Sequence, residues 1–267
     1  LTKFKNQQKH NQKRKIDRKP ICIIVTNLHS ILSKEKQSEF VSTLIDSTRP
    51  GIVLATETWL NKNIKSSEIE GIQDYEIYRK DRETHAGGVM LLVHKDYLCV
   101  EEPEFDTDCE IIWAKINLTG AKTLHVGAFY RPTNIEETPL TQLDLSLHKL
   151  SGKGSTIWLG GDFNLPDINW DVPCLKDLPK GGKHHYPAKL SRKLLEIAGD
   201  HNLTQMVNKP TRGENTLDLL FTNNPNTINR IETMPGISDH DDVFIEGNIY
   251  ATNTKQAPRK IYLHRKN

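Results

Sequence analysis

Apolar positions along the chain fall into two periods. Short runs rich in apolar residues occupy 21–25, 52–56, 89–94 and 156–160, each closed by a polar or turn residue. Runs of that length bounded by turn signals predict buried strands. Residues 75–79 alternate apolar with polar and predict another. Residues 111–118 and 124–130, joined through Thr119-Gly120, predict a hairpin, and 217–221 and 243–249 predict two late strands. The second period is helical. Phe40, Val41, Leu44 and Ile45 recur at helical spacing within 35–48; residues 140–150 show the same period, and 187–202 would bury Leu190, Leu194 and Ile197. Residues 81–88 read as a turn. Residues 165–186, with Pro166, Pro173, Pro179 and Gly181-Gly182, read as a long loop. The first two strands are linked by a helix, which is compatible with parallel pairing. Strand–helix alternation mixed with hairpins, without repeats or a dividing linker, predicts one α/β sandwich of mixed sheets.

Composition adds bounds to this pattern. At 36% hydrophobic and 26% charged, 267 residues suit a globular body with a sizeable core. No apolar run reaches the roughly 20 residues of a membrane span, and no signal-peptide pattern opens the chain, so no membrane partner is expected. Cys22, Cys99, Cys109 and Cys174 are scattered. They predict a reducing compartment, with neither a disulfide framework nor a zinc site. The chain opens on Leu1, as a piece excised from a longer polypeptide would. The net charge of +2 conceals an asymmetry: residues 1–20 carry +7, residues 255–267 carry +5, and the remainder is about −10. An acidic body cannot hold nucleic acid by bulk charge; it needs a divalent cation or local basic strips. The basic ends are expected to be a disordered tail (1–20) and a linker (252–267) around one domain (21–251). They could supply DNA attraction or simply be solvated.

Candidate chemistry gathers at strand ends. In Gly161-Asp162-Phe163-Asn164 the carboxylate and carboxamide point one way at period two, with Phe163 turned inward. A Gly-Asp/Asn turn would account for the same residues. Asn27, Glu57 and Tyr130 close other strands, and Ser238-Asp239-His240 precedes the last. Asp218 lies within Leu217-Asp218-Leu219-Leu220, where an unpaired acid is costly. Singly, each has an ordinary structural explanation. Jointly they supply a metal-binding carboxylate, a water activator, amide donors, and a buried acid able to orient a histidine. That inventory suits metal-assisted phosphodiester hydrolysis.

The ordered set Thr26-Asn27, Thr56-Glu57-Thr58-Trp59-Leu60, Gly87-Gly88-Val89, Phe129-Tyr130-Arg131-Pro132, Gly161-Asp162-Phe163-Asn164, Leu217-Asp218-Leu219 and Ser238-Asp239-His240 resembles the endonuclease/exonuclease/phosphatase family. More narrowly, it resembles the endonuclease domain of non-LTR (LINE-type) retrotransposons. The resemblance implies a four-layer α/β sandwich, DNase I-like, with two mixed sheets face to face and helices outside. It implies that Glu57 holds Mg²⁺ (Mn²⁺ as the alternative) with Asp239 assisting, and that Asp162 activates water. Asn27 and Asn164 would position water and phosphate. His240, oriented by Asp218, would stabilise the transition state, and Tyr130 would donate to a phosphate oxygen. Arg131, Thr211 and Ser238 are expected to contact substrate. The implied activity is nicking of double-stranded DNA to leave a 3′-hydroxyl that primes reverse transcription. The implied setting is a monomeric domain of a reverse-transcriptase polyprotein, made in the cytoplasm and acting in the nucleus. An abasic-site nuclease, another phosphoesterase of the family, or an inactive nucleic-acid-binding module are the alternatives. Two departures stand out. His29 occupies a position where the family commonly has an arginine, serine or acid, and the connection from Thr211 to Asp218 is short for a DNA-probing hairpin.

Overall fold

A computed structural model of the chain describes residues 19–252 apart from 85, 121 and 179. The expected basic tail and linker therefore lie, except for Lys19, Pro20 and Thr252, outside the described residues. One sheet runs β13 (Ile228–Met234), β14 (Asp242–Gly247), β1 (Cys22–Asn27), β2 (Ile52–Thr56), β4 (Val89–His94), β3 (Tyr75–Lys80). The other runs β11 (Thr204–Gln205), β12 (Asp218–Thr222), β8 (Thr156–Asp162), β7 (Thr123–Tyr130), β6 (Glu110–Asn117), β5 (Cys99–Glu101). Each sheet has one parallel pair at its centre, β1–β2 and β7–β8, flanked by antiparallel strands. Central strands covered on both faces need continuous apolar runs, as β1 and β2 have.

Ser33 caps the first helix by accepting from the Lys36 amide. That helix, α1 (Lys34–Phe40), passes through a π-helical turn (Val41–Ile45) into α2 (Asp46–Thr48). It stops where Arg49 adopts φ +46° before Pro50-Gly51. Phe40, Leu44 and Ile45 pack it on the outer face of the first sheet with Ile24, Val53 and Met90. The helices α3 (Thr138–Leu150) and α4 (Ala188–Asp200) cover the second sheet through Leu140, Leu143, Leu147, Leu190, Leu194 and Ile197. Between the sheets lies a third core that includes Val25, Leu54, Leu91, Ile112, Val126, Trp158, Leu220 and Ile245. The four-layer sandwich expected from the sequence is what forms. Among the described residues, no helix is long and apolar enough to cross a membrane.

Three strands were not legible in the sequence: β5, β11 and β13. All stand at or next to a sheet edge, where exposure removes the apolar signal; the pattern of β13 is half-buried and exposed throughout. The 165–186 loop also contains a two-residue hairpin, β9 (Ile168–Asn169) with β10 (Cys174–Leu175). The last strand ends at Gly247 and not at residue 249.

Candidate active site

Register assembles the cleft. Parallel pairing of β7 and β8 sets Tyr130 beside Asp162, and antiparallel pairing of β12 and β8 sets Asp218 on the other side of Asp162. Across the sandwich, β1 ends at Asn27 beside Thr56, with Glu57 next in the chain. The Ser238–His240 segment leads into β14, the antiparallel neighbour of β1. Residues drawn from six separate segments thus meet at one end of the two sheets.

Asp162 is enclosed and held by three donors. Asn27 Nδ2 (3.0 Å) and Asn164 Nδ2 (2.9 Å) donate to Oδ2, and the Asn164 amide donates to Oδ1 (3.0 Å). Asn164 can reach back because its backbone is left-handed at φ +49°, and its Nδ2 also donates to the Arg131 carbonyl (2.9 Å). Burial, and then the charge of Asp218, push the Asp162 carboxyl up to about 8, against the pull of His240 and the amide donors. A carboxylate so placed is a base matched to neutral pH.

Asp218 and His240 form a buried pair. The imidazole Nδ1 lies 2.7 Å from Asp218 Oδ2, with the side chains 3% and 0% exposed. Burial pulls the imidazole down, but the hydrogen bond and charge of Asp218, joined by Asp162, outweigh it and leave His240 raised. Asp162, Asp218 and His240 offer ligand atoms all within 4.8 Å of one another. Asp218 Oδ1 has no hydrogen-bond partner.

Glu57 faces this group from the other sheet. Tyr130 donates its hydroxyl to Oε1, and Trp59 Nε1 donates to Oε2 at 2.8 Å. Burial and the contact with Glu57 hold the Tyr130 phenol far above its ordinary value, so it remains a donor. Asp239 is half-exposed, bound by Arg212 (2.5 Å) and His29 (3.4 Å). Burial opposes ionisation of Asp239, yet Arg212, His240 and His29 together hold it below the usual carboxylate range. His29 in turn packs against Trp59, ring centroids 5.2 Å apart. Contacts and neighbouring strand ends therefore connect all eight predicted catalytic and metal residues. His29, Ser30, Glu57, Trp59 and Asn164 all have positive φ. Non-glycine residues adopt that conformation at a cost, which is typical of sites where geometry outranks local comfort.

The three residues expected to contact substrate are placed differently. Arg131 is fully buried; its guanidinium donates to the carbonyls of Pro132, Asn134 and Asn164 and stacks on Tyr186. Thr211 is also buried, its hydroxyl accepting from the amides of Leu217 and Asp218. Ser238 donates to the Asn27 carbonyl (2.6 Å) and accepts from the His240 amide (3.1 Å). In this structure these side chains hold neighbouring backbone of the site, although the buried Arg131 Nε has no hydrogen-bond partner. Three other participants went unassigned in the sequence. Trp59 was visible two residues after Glu57, and His29 as the departure from the family pattern. Asp242, buried with both oxygens unpartnered, had as its signal an acid entering an apolar strand.

The donors exposed to the cleft are mainly carboxylate oxygens, with Asp162 enclosed beside a second acid. That set fits a hard divalent cation such as Mg²⁺ or Mn²⁺. Fold and site together define the class: the chain has the endonuclease/exonuclease/phosphatase nuclease fold, with an acidic cluster able to hold a metal. Residues 124–244, which carry the last four motifs, match the family model described as endonuclease-reverse transcriptase. Over that stretch the family model agrees with the resemblance read from the motifs. Among solved structures, the endonuclease domain of TRAS1, a telomere-specific non-LTR retrotransposon, superposes with TM-score 0.64 at 16% identity. It covers 85% of this chain and 98% of that one. An AP endonuclease from Archaeoglobus fulgidus gives 0.66 at 15%, covering 85% and 99%. The 3′ phosphatase NExo from Neisseria, bound to product DNA hairpin, gives 0.65 at 14%, also covering 85% and 99%. No curated protein sequence matches the chain.

Proposed function

We propose that the chain is a Mg²⁺-dependent DNA endonuclease of a retroelement polyprotein. It nicks nuclear target DNA and leaves a 3′-hydroxyl to prime reverse transcription. The observation that carries the hydrolytic part is the meeting of two differently tuned groups in one cleft. Asp162 is raised towards a neutral-pH base, and His240 is raised towards a cationic donor. Asp162, fixed by Asn27 and Asn164, takes the proton of the attacking water. His240, held by Asp218, donates to the phosphate as negative charge develops on it. The Tyr130 hydroxyl, which holds Glu57 in this structure, would turn its single proton to a phosphate oxygen once Glu57 is held by the cation. Glu57 would hold the cation, with Asp239 assisting directly or through water. When bound, the ion neutralises phosphate charge in a cleft that otherwise repels it. The retroelement setting is supported by the ETWL and FYRP motif forms and by the likeness to the TRAS1 domain.

The test is incubation of the purified chain with supercoiled plasmid, with Mg²⁺ and with EDTA, beside a duplex bearing one abasic site. We expect open-circular plasmid whose nicks a polymerase can extend, no product in EDTA, and none from Glu57→Gln at limiting Mg²⁺. Cleavage confined to the abasic duplex would make it a repair-type enzyme. Binding without cleavage would make it an inactive module.

A further inference from the structure

Among the described residues a second group of metal-type donors lies outside the cleft. The helix α3 carries the chain from the cleft end of β7 back to the far end of β8, so its last turns sit away from the strand ends just described. The helix α4 also finishes there, just before β11 pairs Thr204 with Thr222, the far end of β12. Asp144 and His148 stand one turn apart on α3, and His201 follows the last residue of α4. Their ligand atoms all lie within 4.8 Å of one another.

Both imidazoles aim Nε2 at one carboxylate oxygen. His201 Nε2 is 2.8 Å from Asp144 Oδ1, and His148 Nε2 is 3.6 Å from the same atom. The rings sit 4.6 Å apart, crossed at 72°. Lys193 takes the other oxygen, Oδ2, at 3.6 Å, which leaves Oδ1 turned to the histidines. A tetrahedral zinc sphere places ligand atoms about 3.3 Å apart, and the two observed separations bracket that figure. We propose that Asp144, His148 and His201 bind a borderline transition-metal ion, Zn²⁺ being the model case, and clip α3 to α4.

The chemistry selects the ion. Two imidazole nitrogens and one carboxylate oxygen suit zinc and its neighbours, whereas Mg²⁺ demands octahedral oxygen. The cluster does not compete for the cation of the cleft. His148 stands in the last turn of α3 and His201 just past the end of α4, where the helices' partial negative charge favours a cation. His201 is nearly buried and already placed by its contact with Asp144, while His148 is 64% exposed and gives the ion access. Three protein ligands leave a position for water, so the clip can load without rebuilding the helices.

This proposal is independent of the nuclease chemistry. Its test is zinc bound per chain after equilibrium dialysis in excess Mg²⁺, which saturates oxygen-donor sites. Wild type, His148→Ala, Asp144→Asn and Glu57→Gln are compared, with Tm read with and without zinc. We expect one zinc in wild type and in Glu57→Gln, and none in the other two. Zinc should raise Tm only where it binds, because an ion held by the folded state alone adds stability by mass action. The exposed His148 can be replaced without unfolding the chain, which an unchanged metal-free Tm verifies. Absence of zinc in wild type, or equal zinc in His148→Ala, overturns the site. So does zinc lost only in Glu57→Gln.

Discussion

Asp218 shows what a single residue contributes here and what its loss would cost. Removing one partner of a buried ion pair costs about 3–5 kcal/mol, because the other charge is left unpaired. His240→Ala should therefore lower stability as well as activity, and nicking must be assayed well below its Tm. Under those conditions the loss should be on the order of a hundredfold or more, as for a preorganised donor. Asp218→Asn should impair nicking too, and the double variant should fall far short of the product of the two single losses. Losses that multiply would separate the two residues. Asp218→Asn also removes the bond and charge that raise His240, so the alkaline limb of the pH–rate profile should move to lower pH. An unmoved limb would leave His240 tuned by something else. Asp242 gives a stability test of the same kind. Burial first, then the charges of Asp218 and Asp241, push its carboxyl up to about 7, opposed by Thr26 and His240. A folded pKa above the unfolded value of about 3.9 makes folding take up a proton. Stability from this group is therefore greatest below about 3.9 and falls as pH rises through 7. In metal-free protein, the Tm advantage of Asp242→Asn should grow from pH 4 to about 7 and then level off. A constant difference would show that Asp242 does not titrate in that window.

The element that matters most is the β7–β8 pair, whose register puts Tyr130 beside Asp162. Gly161 makes that approach possible. Its φ is +141°, and a Cβ there would lie 1.9 Å from the Phe129 carbonyl oxygen on the neighbouring strand. No side-chain rotation relieves a clash with backbone. Gly161→Ala should cost about 3 kcal/mol from strain and overpacking, seen as a lower Tm with nicking reduced at temperatures where the chain is folded. A Tm within a degree of wild type would show that β7 and β8 can separate locally without loss. The β2–β4 side is organised by a backbone contact instead. The Trp59 amide donates to the Gly87 carbonyl, so the loop after β2 is tied to the turn before β4 while its indole steadies Glu57.

At the scale of the whole molecule, charge and topology act together. On the proposed function a body of about −10 would meet a polyanion, so attraction would have to come from the cation and from any phosphate contacts of the basic ends. Removing residues 1–18, which carry +6, should weaken DNA binding and flatten its salt dependence. Each lost phosphate contact would lower the slope by about one. An unchanged slope in a binding titration would show that the end makes no phosphate contact. The sandwich itself brings distant residues into contact at the cleft, as Ser238 and Asn27 are across 211 positions. Cooperation at that range needs both sheets packed, which is why the core between them lies directly beneath the cleft.

By itself the sequence determined the elements whose burial is strongest. The central strands, the three amphipathic helices and the parallel β1–β2 link were legible because an apolar period survives only where one or both faces are covered. The motif order also determined which polar side chains end those strands. What the tertiary structure alone decided was the use of each polar group. Arg131, Thr211 and Ser238 bear the same donors and acceptors whether they meet substrate or protein, and only packing turned most of them onto neighbouring backbone. The pairing of Asp218 with His240 was inferable from the cost of a lone buried acid, but the raised Asp162 was not. Its position depends on strand register, and its affinity for a proton on burial and then on an acid 56 residues away. Edge strands such as β13 were decided late for the opposite reason. Their residues are half solvated, so the hydrogen bonds of a neighbouring strand, and no pattern of their own, define them.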